Sequence, residues 1–197
     1  MTDYDATTAL LVVDLQNDFA DPSGSLAVTG AEAIIARVND EVRRAVAAGA
    51  FVVATQDWHP ESTPHFERDG GIWPVHCVGG TWGAKLHSAF ELPPDTPCVR
   101  KGVNGEDGYS GFTTRDPLSG EERPTELESL LAERGIGSVR VCGLATDYCV
   151  RATAIDAARL GFVTTLLSGA VAAVDLEPGD GERAISEMRD AGIEVAG

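Results

Sequence analysis

Basic charge is scarce in this chain. Among 197 residues, 15 are Lys or Arg against 31 Asp or Glu, and only Lys85 and Lys101 are lysine. A net charge of −16 repels phosphate backbones, which excludes nucleic-acid binding as a primary role. Long apolar runs are missing too: no strictly apolar run exceeds five residues, the length of 9–13, so no segment reads as a membrane span. No basic, then apolar, then small-residue leader opens the chain, and the expectation is an unexported, cytoplasmic protein. Cys77, Cys98, Cys142 and Cys149 include no CxxC pair, so they read as free thiols, mostly buried, in a reducing compartment. Internal repeats and low-complexity segments are absent.

The apolar share of 43% and the charged share of 23% are ordinary for a globular protein and exclude a disordered one. Residues 1–197 fit a single domain, since domains run to roughly 100–200 residues. A chain of this size buries about 70% of its unfolded surface and needs no disulfide or metal staple to fold.

Strand-like and helix-like stretches alternate. Residues 9–14 (ALLVVD) read as a buried strand ending in a carboxylate. Thr29 with Glu32 three residues on reads as a capping box. It opens a helix whose inward face carries Ile34, Ile35, Val38, Val42, Ala45 and Val46 and which stops at Gly49. Strands are expected at 51–55, 98–101, 139–142, 162–167 and 193–196, and helices at 124–134, 148–160 and 181–190. The 115–123 stretch reads as a solvated turn. The alternation predicts an α/β fold: a three-layer α/β/α sandwich around a mainly parallel, roughly six-stranded sheet. Ligands bind beyond the carboxyl ends of strands in such sheets, and Asp14, Asp57, Lys101 and the stretch from Gly143 all sit there.

Between the strands at 51–55 and 98–101, residues 56–96 have no strong period, yet hold all four histidines, all three tryptophans and five of ten prolines. Connections this long are commonly functional. Residues two apart in an extended stretch project to one side, so Asp57 and His59 can share one ion, with His65 and His76 further along. Carboxylate and imidazole ligands suit divalent Zn, Mn or Fe and leave positions open for water and substrate. His87 lacks a companion ligand and reads as structural. Phe19 and Trp73 could sandwich a flat ring, while Trp58 and Trp82 read as loop anchors.

Cys149 falls in the first turn of a helix that follows a strand. There the macrodipole favours a thiolate, and the first-turn amides can stabilise an oxyanion. Asp14 and Lys101 close two other strands and should reach the same edge. Asp14 can then take the thiol proton while Lys101 keeps Asp14 ionised. An ion pair that merely ties two strands together is the other reading of these residues, and spacing leaves it open.

Val12-Val-Asp14-Leu-Gln-Asn-Asp-Phe19, Asp57-x-His59 with His65, Trp73-Pro-Val-His76-Cys, Lys101-Gly, Tyr109-Ser-Gly-Phe112 and Gly143-Leu-Ala-Thr-Asp-Tyr-Cys149-Val-Arg occur in this order. Together they resemble the nicotinamidases (pyrazinamidases) of the isochorismatase-like cysteine hydrolases. The resemblance implies a triad of Asp14, Lys101 and Cys149 and a divalent metal on Asp57, His59 and His76, zinc first, with iron or manganese as alternatives. Some members also use a residue at the place of His65 as a ligand or close neighbour. It implies an oxyanion hole from the amides of Ala145 and Cys149, a cis peptide between Leu144 and Ala145, and substrate contacts from Phe19, Trp73 and Tyr109. Tyr148 departs from the His that several relatives carry, and 102–108 is one residue longer than in some of them.

The expected activity is hydrolysis of nicotinamide to nicotinate and ammonia through a thioester, with pyrazinamide as a second substrate, feeding NAD salvage. Two rivals stand beside it: a superfamily amidase acting on a carbamoyl compound, and a catalytically idle metal- or ligand-binding protein. The partner expected is a small amide, with neither nucleic acid nor membrane; a homo-oligomer stays open.

Overall fold

A computed structural model describes residues 4–197; residues 1–3, which begin the stretch read for a leader, lie outside the described residues. Six parallel strands form the sheet: β1 (Thr8–Val13), β2 (Phe51–Asp57), β3 (Cys98–Lys101), β6 (Ser138–Leu144), β7 (Val163–Ala172) and β8 (Glu194–Ala196). The order across the sheet is β3-β2-β1-β6-β7-β8. β1 is buried along its whole length, as its unbroken apolar run requires of a central parallel strand.

Alternate side chains of β1 feed two separate cores. Leu10 and Val12 pack on one face with Phe19 and Ala20 of α1 (Asn17–Ala20) and with Ile34, Ile35, Val38 and Val42 of α2 (Ala31–Ala47). Ala9, Leu11 and Val13 pack on the other with Leu127 and Leu131 of α3 (Leu127–Ala132), Ala154 and Ala157 of α4 (Arg151–Arg159) and Met188 of α5 (Asp180–Asp190). The result is the expected three-layer α/β/α sandwich. Chain direction across the sheet reverses between β1 and β6, the switch point at which the carboxyl ends leave a crevice. Among the described residues, no helix is long and apolar enough to cross a membrane.

Local readings differ at five places. The capping box does not form: Gly30, left-handed at φ 81°, precedes α2 and no side chain caps it. Val46 is half exposed, because α2 has already turned its buried stripe past that position near its end. The expected 124–134 helix shortens to α3, because Pro124 ends a strand instead. β4 (Thr113–Arg115) and β5 (Glu122–Pro124) make a small antiparallel hairpin, so 115–123 is strand and turn rather than turn alone. Trp82 is 49% exposed, so it is not the buried loop anchor the sequence suggested. Trp58 stays half-buried with the Arg100 guanidinium over it, 3.7 Å from its centroid.

Candidate active site

Strand register brings the charged residues together. Asp57 and Lys101 are the last residues of β2 and β3 and directly opposed partners. Asp14 follows β1 with φ 47°, and Val13 pairs with Gly143 of β6 at the same edge. Lys101 Nζ donates to Asp14 Oδ2 at 2.7 Å, Asp57 Oδ1 at 2.9 Å and the Tyr109 carbonyl at 3.2 Å, and lies 3.5 Å from Cys149 Sγ. An ammonium has three protons, and three oxygens take them. The sulfur contact is therefore mainly electrostatic. The Thr55 hydroxyl donates to Asp14 Oδ1 at 2.6 Å and accepts the Asp14 N–H at 3.2 Å.

Burial raises the Asp14 pKa, Lys101 opposing it. Burial would raise Asp57 as well, but Lys101 and the facing imidazoles hold it well below the usual carboxylate range. Lys101 is penalised by burial, yet Asp14 and Asp57 hold it well above an ordinary lysine. Burial also pushes the Cys149 thiol well up, against the pull of Lys101. The resting group is thus a thiol, not the thiolate that a helix start suggests.

That helix start differs from expectation. β6 runs through a cis Leu144–Ala145 peptide, at the implied place, into a π-helical turn (Thr146–Val150) that leads to α4. The Ala145 carbonyl accepts from both Tyr148 and Val150 N–H groups. Such wide turns often mark functional sites.

The histidines form a second cluster beside the first. Ring nitrogens of His59, His65 and His76 lie within 4.8 Å of one another. Asp57 Oδ2 stands 3.9 Å from the Nε2 atoms of His59 and His76. His76 Nδ1 bonds the Pro74 carbonyl at 2.7 Å, so its Nε2 is the atom left to face Asp57. His65 stacks on His59 with centroids 4.8 Å apart, and burial, then the neighbouring imidazoles, lower its pKa to about 4. Burial lowers His76 too. Both therefore stay neutral and available as ligands at neutral pH. Both ring nitrogens of His59 are buried without a hydrogen-bond partner. Buried polar atoms rarely go unsatisfied, and an ion supplies what His59 Nε2 lacks. A divalent cation thus fits these residues. Gly102, with φ 78°, seats that ring: a Cβ there would stand 2.6 Å from His59 Nδ1. His87 lies apart, 3.7 Å from Asp21, as a structural residue.

One pocket joins the two clusters. Cys149 and Ala145 line it beside Asp57, His65 and His76. Its aromatic wall is Phe19, Trp73, Tyr109 and Tyr148. Trp73 Nε1 donates to the Tyr109 hydroxyl at 3.1 Å, and Trp73 meets Tyr148 edge-on at 4.9 Å. Leu26 and Val174 also line the pocket and carried no sequence signal. Thr55 and Gln16 did carry one, since each is a polar residue inside or just after an apolar strand run. Both went unassigned.

A model of the isochorismatase domain matches residues 8–197. The nicotinamidase/pyrazinamidase of Mycobacterium tuberculosis is 40% identical over 190 residues, covering 95% of this chain and 97% of that one. The pyrazinamidase of Pyrococcus horikoshii, solved in complex with zinc, superposes with a TM-score of 0.85 at 41% identity, covering 96% of this chain and 98% of that one. PnC1 from L. infantum, solved in complex with nicotinate, gives 0.87 at 38% identity, covering 98% and 94%.

Proposed function

The chain belongs to the isochorismatase family, and from that membership we propose that it is a nicotinamidase, hydrolysing nicotinamide to nicotinate and ammonia. Pyrazinamide is a second substrate, and the nicotinate formed feeds NAD salvage. The observation that carries this reading is one pocket lined both by Cys149, which Lys101 ties to the buried Asp14, and by Asp57, His65 and His76 of the histidine–carboxylate cluster. A carbamoyl amidase or an idle scaffold has no use for both.

Cys149 attacks the amide carbonyl, and its proton passes to Asp14. The raised Asp14 pKa makes it a better acceptor than an ordinary carboxylate, while Lys101 keeps it charged until then. Ala145 and Cys149 offer their amides to the developing oxyanion. Asp14 returns the proton to the departing ammonia, and a water then cleaves the thioester to release the acid and the thiol. Phe19, Trp73 and Tyr109 hold the ring.

Asp57, His59, His65 and His76 would hold one divalent ion, zinc before iron or manganese, as a Lewis acid that orients the ring nitrogen of the substrate. We further take residues 1–197 as one domain, supported by the family match over 8–197. Four unpaired thiols suit the reducing cytoplasm. Incubation with nicotinamide and measurement of ammonia tests the activity. Release from the wild type with none from Cys149→Ala is expected; no release from the metal-loaded wild type overturns the reading.

A further inference from the structure

Gln16 and Asp18, two and four residues beyond Asp14, are buried and take no part in the chemistry above. Gln16 commits its whole amide to backbone. Its Oε1 accepts the Asp57 N–H at 2.8 Å, and its Nε2 donates to the carbonyls of Asp57 at 2.7 Å and Ala84 at 2.8 Å. The Asp18 carboxylate accepts the Cys77 N–H at 2.7 Å and the Ser25 N–H at 3.1 Å. Neither side chain lines the pocket. Each instead grips the main chain at, or one residue after, a side chain of the histidine–carboxylate cluster.

The grip on Cys77 has a specific consequence. Cys77 has φ 46°, a left-handed conformation that L-residues avoid unless something holds them there. A charged acceptor on its N–H is such a restraint. His76 is thereby fixed from two directions, by Pro74 through its own Nδ1 and by Asp18 through the following turn. Asp57 is fixed in the same way, its carboxylate by Lys101 and both its main-chain groups by Gln16.

We propose that Gln16 and Asp18 are positioning residues that hold Asp57 and His76 ready to bind the divalent ion, so that they set metal affinity and leave amide cleavage itself untouched. The inference rests on the metal reading given above. Groups that orient ligands from outside the coordination sphere commonly change affinity by about 10–100-fold.

The test is zinc binding by competition with a chromogenic chelator, using stripped wild type, Gln16→Ala, Asp18→Ala, Asp18→Asn and the ligand variant His59→Ala. Urea unfolding of each metal-free protein establishes which are folded. The expected result is a zinc Kd about 10–100-fold weaker in Gln16→Ala and Asp18→Ala. Asp18→Asn, which keeps an acceptor for Cys77, should fall between them and wild type. Saturating zinc should restore wild-type turnover, and the cobalt(II) absorption spectrum should shift in the variants. If Asp18→Ala fails to fold, Gln16→Ala and Asp18→Asn decide. Folded variants with wild-type Kd overturn the proposal while leaving the metal reading standing. Wild type that takes up no zinc, cobalt, iron or manganese overturns both.

Discussion

Lys101 is the residue on which both clusters hang, because its ammonium reaches Asp14, Cys149 and Asp57 at once. It is also one of only two lysines, and that scarcity is what made it visible in the sequence; Lys85, the other, is exposed. Thr55 stands out as a polar residue in an apolar strand run, but only the fold shows its purpose, by aiming its hydroxyl at Asp14. Lys101→Met should leave Asp14 buried without its counter-charge. The folded-state pKa of Asp14, already raised by burial, then rises further. On the proposed mechanism cleavage needs ionised Asp14, so activity is lost as pH falls through that raised pKa, and the variant's acidic limb should move to higher pH. Turnover near neutrality should drop by about 10²–10⁴-fold, the usual worth of general-base catalysis. A pH–rate profile of nicotinamide hydrolysis checks both, and wild-type turnover with an unmoved limb would reduce Lys101 to an ion pair between strands.

Among the elements, strand interiors were the legible part. Continuous apolar runs located β1 and the body of β2, because burial on both faces leaves few other uses for such runs, and the edge strand β3 was read with its observed bounds. Helix ends and the hairpin were not legible: Thr29 offers a cap that Gly30 pre-empts, and Pro124 closes β5 where it could equally open a helix. A tightly constrained joint is β1 against β6 at Gly143, which has φ 110° and where a Cβ would run into the Val13 backbone. Gly143→Ala therefore combines a strained φ with overpacking, at a cost of about 2–4 kcal/mol. Gly137, where a Cβ meets nothing within 4 Å, is the control. Urea unfolding should show a large loss for the first substitution and little change for Gly137→Ala; equal effects would refute the close-approach account.

The whole molecule carries −16, yet its pocket is lined mainly by neutral imidazoles, aromatic rings and a thiol, with Asp57 the one carboxylate among them, which suits the entry of an uncharged amide. Within that pocket a thiol already supplies the nucleophile, so a metal-activated water would be redundant for the first step. The economical use of the ion is to hold the ring nitrogen so that the amide faces Cys149. Misplacement by about 1 Å can cost on the order of 10²-fold. Benzamide keeps the amide and nearly the shape but lacks the nitrogen, and should be a far poorer substrate than nicotinamide. Pyrazinamide keeps the nitrogen and should remain good. Removing the ion with a chelator, or by His59→Ala, should depress nicotinamide turnover much more than residual benzamide turnover, because only the former loses an anchor. Steady-state kinetics on the three amides, with and without metal, separates the two uses. Comparable kcat/KM for benzamide and nicotinamide in the metal-loaded enzyme would leave the ion a structural part of the 56–96 segment, where His59, His65 and His76 lie.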